Sequence, residues 1–173
     1  MISRILRAIR LDWTVFREIA EDPAATMEAA IIVIVVNLLA SLGGAFAVEG
    51  NFALSFIVSW LLSVLIGWLG WAVVTYLVGS LLFKGQSSIP EMMRVLGYAN
   101  APRLLGILGF IPCLGPVLAL AGWILSLIAG ILAVREAMEF ETLHAIVTVA
   151  VSWVAVFVIN LIIPASLGIL GIG

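Results

Sequence analysis

Charge is what this chain has least of. Eight Lys and Arg and ten Asp and Glu make up 10% of its 173 residues, against about 25% in soluble domains. So few charged groups cannot cover a core, and 64% of the residues are hydrophobic, so a soluble globular protein is excluded and the uncovered surface faces lipid. Net charge is -2 and no basic cluster lies beyond the first 17 residues, which excludes the concentrated positive footprint that nucleic acid requires. One cysteine, Cys113, makes no intrachain disulfide, and one histidine, His144, builds no multi-His or Cys/His zinc site. The amino terminus lacks the apolar core and small-residue cleavage site of a secretory signal, and is expected to be retained.

Catalytic groups are equally scarce. The apolar stretches hold no aspartate pair, and Ser41 beside Gly43 and Gly44 is expected toward the outer half of the membrane, far from His144 at a cytoplasmic boundary. No phosphate loop, His-Glu-x-x-His motif or nucleotide fingerprint occurs. The expectation is a protein that is not an enzyme, with no cofactor and no metal.

What is present is a set of long uncharged windows. A charge at the bilayer centre costs at least about 2.5 kcal/mol, so charged residues mark boundaries. Twenty uncharged residues separate Glu28 from Glu49, 34 separate Glu49 from Lys84, 31 separate Arg103 from Arg135, and 32 follow Glu141. The third window would run about 46 Å as one straight helix, beyond a hydrocarbon core of about 30 Å. Pro112-Cys113-Leu114-Gly115-Pro116 at its middle predicts a turn, hence a hairpin whose first arm borrows from the segment beginning near Glu91.

The predicted fold is therefore an all-α integral membrane protein, a bundle of five transmembrane helical segments at about 25–48, 54–82, 95–111, 116–134 and 145–170. With five segments all eight Lys and Arg fall on one side, so the amino terminus is expected in the cytoplasm and the carboxyl terminus outside, in a cell inner membrane. Residues 1–22 form the other unit. Ile2, Ile5, Leu6, Ile9, Trp13, Phe16 and Ala20 recur at helical steps with Arg4, Arg7, Arg10 and Arg17 mostly off that stripe. This predicts one amphipathic interfacial helix, ended by Asp22-Pro23, whose arginines and Trp13 meet anionic lipids. A partner-binding helix is the alternative.

Small residues recur every four positions at Ser55, Ser59, Ser63 and Gly67, and again at Gly122, Ser126 and Gly130. Such rows let helices approach closely, as seams within the chain or as a homo-oligomer face. The intramembrane polar candidates are Glu28, Asn37, Tyr98, Asn100, Arg103 and Asn160, which are expected to face the bundle interior. Asn37 and Asn160 are expected to approach each other near mid-membrane. Arg103 is expected to meet Glu28 or backbone carbonyls freed by Pro102, with Tyr98 and Asn100 lining the same cytoplasm-facing pocket.

The stretch Leu96-Gly97-Tyr98-Ala99-Asn100-Ala101-Pro102 resembles the Gly-Tyr-x-x-x-Pro signature of the Yip family, the Ypt/Rab-interacting proteins, and Glu21-Asp22-Pro23 looks like its bacterial branch. The resemblance implies a Yip-like transmembrane domain over residues 23–173 and a membrane location. The Asp-Leu-x-Gly-Pro motif of eukaryotic members is missing, so Rab GTPase binding is not carried over. The expected function is a non-enzymatic scaffold that organises membrane or recruits partners; the alternative is a small-solute or ion channel or transporter.

Overall fold

The computed structural model describes residues 1–45, 56–57, 60–61, 63–110 and 114–169. All regular structure among them is helical: α1 (Ile2–Ile9), α2 (Trp13–Glu21), α3 (Ala25–Ala45), a π-helical segment (Ser63–Gly70), α4 (Trp71–Phe83), α5 (Ile89–Ala99), a 3-10 segment (Ala101–Phe110), α6 (Leu114–Met138) and α7 (Thr142–Ile169). Gly115–Met138 and Thr142–Ile159 are long and apolar enough to cross a membrane, as is the bent pair Trp13–Glu21 and Ala25–Leu39 if counted as one span; Gly67–Phe83 is a shorter apolar helix. These helices make the chain an all-helical membrane protein.

Local chemistry sets the boundaries. Residues 1–22, expected as one helix, are divided between Ile9 and Trp13, because the Asp12 carboxylate accepts the amide of Thr14 and caps a new helix. Leu11 absorbs the reversal at φ 59. Asp22 ends α2 as expected, and the chain turns through 119° into α3, so α2 lies across the bundle rather than along it. Ser88 and Glu91 form a reciprocal capping box at the start of α5, with Pro90 in the first turn, where its missing N–H costs nothing. α6 begins at Leu114, and Pro116 again falls in a first turn. Residues 111–113, which include Pro112 and Cys113 of the expected hairpin turn, lie outside the described residues.

The third segment is not a uniform α-helix. It changes from α5 to 3-10 geometry at Asn100, two residues before Pro102. A 3-10 helix rises about 2 Å per residue, so the two pieces together reach up to about 36 Å if collinear, enough for a hydrocarbon core of about 30 Å. This extended arm packs along α6, its most extensive partner.

The core forms where α2, α3, α5 and α6 meet, with Phe16, Ile19, Val33, Met92, Leu96, Tyr98 and Val134 fully or almost fully enclosed. Phe16 and Ala20 from the expected lipid-facing stripe are among the buried residues, whereas Ile2 and Leu6 are 72% and 51% exposed. The amino-terminal helices thus bury one part of their apolar surface in the protein and leave another part outward.

Candidate functional site

Two polar assemblies stand out, one at the charged end of the bundle and one at mid-depth. The first is an ionic cap. Arg4 donates to Glu18 at 2.8 Å and Asp22 at 2.7 Å, and Arg7 to Asp12 and Glu18, each at 2.8 Å. These pairs tie α1 to α2 and to the turn that follows. Hydrogen bonds from Arg4 and then Arg7 hold the Glu18 carboxyl below its ordinary range; Thr14 and Arg7 do the same for Asp12, and Arg4 and the Ala24 amide for Asp22. Arg17 reaches Glu136 at 3.6 Å and Glu139 at 3.5 Å, while Arg135 pairs with Glu136 and sits 5.4 Å over the Trp13 ring. Three of the four arginines assigned to lipid, Arg4, Arg7 and Arg17, are therefore satisfied within the chain. Arg10 and the exposed edge of Trp13 remain available outside.

The cap is fastened from below by α5. Arg94, almost wholly buried, donates to the carbonyl of Ala20, in the last turn of α2, where the helix dipole is negative. Sequence reasoning passed over Arg94 and Glu136; charges sitting between long apolar windows were read only as boundary marks.

The segment Gly97 to Pro102 joins the cap to the second assembly. A Cβ at Gly97 would come within 2.6 Å of the Ala29 Cβ, so this glycine is what lets α5 cross α3 closely. Its neighbour Tyr98 donates its hydroxyl to Glu28, which also holds the amino terminus at 3.2 Å and Arg4 at 3.6 Å. The break at Pro102 leaves carbonyls without amide partners, and side chains satisfy them: Asn100 Nδ2 donates to Leu96 at 2.9 Å, and Ser126 Oγ to Ala99 at 2.7 Å. On the other face, a Cβ at Gly122 would lie 2.7 Å from the Pro102 carbonyl oxygen. The Gly-Tyr-x-x-x-Pro stretch is thus a hinge clasped between α3 and α6.

This arrangement corrects two expectations. Arg103 does not meet Glu28; its guanidinium contacts Asn100 Oδ1 at 3.3 Å, because Glu28 lies on the cap side with Tyr98, the amino terminus and Arg4. Tyr98 does not share a pocket with Asn100 and Arg103, since residues two positions apart at the end of α5 point to different faces.

Asn100 and Arg103 line a cleft of about 190 Å³ with Asn37, Gly67, Trp68, Trp71, Trp123, Ser126, Leu127, Val149, Trp153 and Val156. Asn37 donates its amide to Val33 of its own helix at 2.8 Å. The side chains of Asn160, the expected partner, and of Ser63 are not among those described, and Ser55 and Ser59 lie outside the described residues. Among the described residues nothing stands within 4 Å of where a Gly67 Cβ would be, and Gly67 lines the cleft. Gly122 and Ser126 lie against the Ala99–Pro102 backbone, and a Cβ at Gly130 would lie 3.3 Å from the Trp71 ring.

The four tryptophans were missed by sequence reasoning. Their signal was position: tryptophan favours the two membrane interfaces, and these lie well inside apolar windows.

Comparison with curated proteins and with solved structures finds no match. The profile of the Yip1 domain matches residues 14–163. That match opens in α2, passes through the Gly97–Pro102 hinge and ends in α7, so α2, the hinge and the cleft fall within it while α1, with Arg4 and Arg7 of the cap, precedes it, and the chain belongs to the Yip1 domain family of membrane proteins.

Proposed function

We propose that the chain threads the membrane five times with its amino terminus in the cytoplasm, and that it serves as a non-enzymatic scaffold organising membrane or recruiting partners. The placement of Lys and Arg supports the orientation, and the crosswise α2, at 119° to the first span, is placed to lie along the membrane surface. The observation that carries the scaffold reading is the two-sided cap. α1 and α2 are locked to the bundle by buried Val15, Phe16 and Ile19 and by ion pairs, while Ile2, Leu6 and Trp13 project outward from that fixed base. An apolar edge held on a rigid base presents itself to lipid or to a second protein with little ordering entropy left to lose.

A photoreactive residue at position 6 tests this in native membranes. It should crosslink to anionic lipid or to another membrane protein, or to a second copy of the chain, in higher yield than the same residue at buried position 19. Equal yields from the two positions remove the support.

A second reading, a small-solute or ion channel or transporter, rests on the mid-depth cleft. Cysteines replacing Asn37 and Asn100 should then react with hydrophilic thiol reagents from one side of the membrane. Complete protection of both positions counts against it.

A further inference from the structure

α1 is joined to the rest of the chain by one strained turn. Arg10 ends the helix at φ -78, Leu11 stands in the left-handed region at φ 59, and two backbone bonds close the reversal. The Leu11 amide donates to the Ala8 carbonyl at 3.1 Å and the Asp12 amide to the Arg7 carbonyl at 3.0 Å. Glycine normally fills the left-handed position of such a helix end, because a Cβ there crowds the following carbonyl oxygen. Here a branched leucine fills it, so the turn holds strain that an extended connection would release.

What the turn holds in place is a complete docking surface. Ala8 is fully buried, Ile5 and Ile9 pack on the core, and α1 lies against α2, α5, α6 and the 3-10 segment. Four carboxylates rim this apolar seat. Arg4 meets Glu18 at 2.8 Å, Asp22 at 2.7 Å and Glu28 at 3.6 Å, and Arg7 meets Asp12 and Glu18, each at 2.8 Å. Without residues 1–9, none of the four has a cation within 4 Å among the described residues. A seat of that kind selects a basic amphipathic helix. Arg4, Arg7 and Arg10 are the only basic residues of the sequence that stand within four positions of one another, so within the chain that helix is α1.

The bonds that seat α1 can also be undone. The paired side chains are 20% to 44% exposed, so water competes for each ion pair. α1 and its turn precede the matched residues 14–163, so their departure removes nothing from that domain. Straightened, residues 10–12 reach roughly 10 Å, about the width of one helix, which lets α1 swing past α2. A second copy in the same bilayer and orientation offers the same seat at the same depth.

We propose that α1 is an exchangeable arm: in a dimer, the α1 of each copy fills the acidic-rimmed seat of the other, with Leu11 extended. Both seats stay filled and two left-handed leucines are relieved, the circumstance in which strained short hinges favour exchange between identical chains. Ile2 and Leu6 face outward whichever seat α1 occupies, so the proposal stands apart from the scaffold reading and from crosslinking at position 6.

Two populations of the full chain, both Cys113→Ser, carry a spin label at Ser3→Cys in one and at Ser87→Cys in the other. They are mixed and reconstituted in liposomes at a low and a high protein-to-lipid ratio. A chain carrying both labels at the low ratio gives the reference distance within one closed copy. At the high ratio, labels on different copies should show that same distance, because each α1 sits in an equivalent seat. Leu11→Gly removes the strain and should weaken dimerisation by at least about 5-fold, the low end of the range for one left-handed residue. Leu11→Pro, which cannot adopt φ 59 and lacks the N–H given to Ala8, should strengthen it. A copy with Arg4→Glu and Arg7→Glu should associate with a copy carrying Glu18→Arg and Asp22→Arg, and neither should associate with itself. Absence of any distance between copies in both the native sequence and Leu11→Pro overturns the proposal. A dimer whose distance differs from the reference, or that Leu11→Gly leaves equally tight, joins through another face and overturns it too.

Discussion

Replacing Gly97 with alanine puts the close crossing of α3 and α5 under direct test. A glycine inside a helix is about 1 kcal/mol less favourable than alanine, so an unobstructed Gly→Ala change stabilises by about that amount. Gly67 supplies such a site, because among the described residues nothing lies within 4 Å of its would-be Cβ. At Gly97 the new methyl would stand 2.6 Å from the Ala29 Cβ, and 3.2 and 3.3 Å from the Ala29 Cα and carbonyl oxygen. None of these atoms moves by rotating a side chain, so α3 and α5 must separate, and overpacking of this kind costs about 1–3 kcal/mol. Gly97→Ala should therefore lose up to about 2 kcal/mol net, and the difference between Gly97→Ala and Gly67→Ala should be about 1–3 kcal/mol. Separation of these helices also draws Tyr98 away from Glu28, one residue along on each helix. Equilibrium unfolding by added SDS in mixed micelles reads the stabilities. Ala29→Gly alone should lose about 1 kcal/mol of helix propensity, yet combined with Gly97→Ala it should recover most of the steric loss, a coupling of about 1 kcal/mol or more. If Gly97→Ala is as stable as Gly67→Ala and the double variant shows no coupling, the crossing described for α3 and α5 is wrong.

Acid should release the cap: Asp12, Glu18 and Asp22 have folded pKa values below their ordinary 3.8 to 4.5, so their contribution is present above that range and is lost as pH falls through the depressed values. Spin labels at Ser3→Cys and Ser87→Cys, in a Cys113→Ser background, should show a single narrow distance distribution at neutral pH and a broadened one well below pH 4. Ser126→Ala strips the Ala99 carbonyl of its partner at the hinge and should cost about 1 kcal/mol in the same SDS titration. Lys84 holds a left-handed conformation, φ 56, at the end of α4, so Lys84→Gly should stabilise by about 1 kcal/mol; an unchanged or lower stability would mean that the cap geometry is not strained.

Hydropathy and charge spacing alone determined the class of this protein, because the energetic cost of charge in lipid depends on composition and not on which helix neighbours which. The stop at Asp22-Pro23 was legible for a similar reason, as a steric effect between adjacent residues. The hinge motif was legible as a string of letters, and its work was not. That Gly97 admits Ala29, that Tyr98 reaches Glu28 and that Ser126 covers the Ala99 carbonyl are choices among partners 27 to 70 positions apart, which only packing makes. Arg103 shows the same limit. Glu28 was its best carboxylate on paper, but the amino terminus and Arg4 occupy that carboxylate, and the arginine is left facing Asn100 and four tryptophans contributed by three separate parts of the chain. Periodicity reports which face of a helix is apolar. It does not report whether that face meets lipid, as Leu6 is free to do, or protein, as Phe16 does, since both environments reward the same side chains; the tertiary structure decided between them by dividing the amino-terminal helix at Asp12 and laying its second half across the bundle.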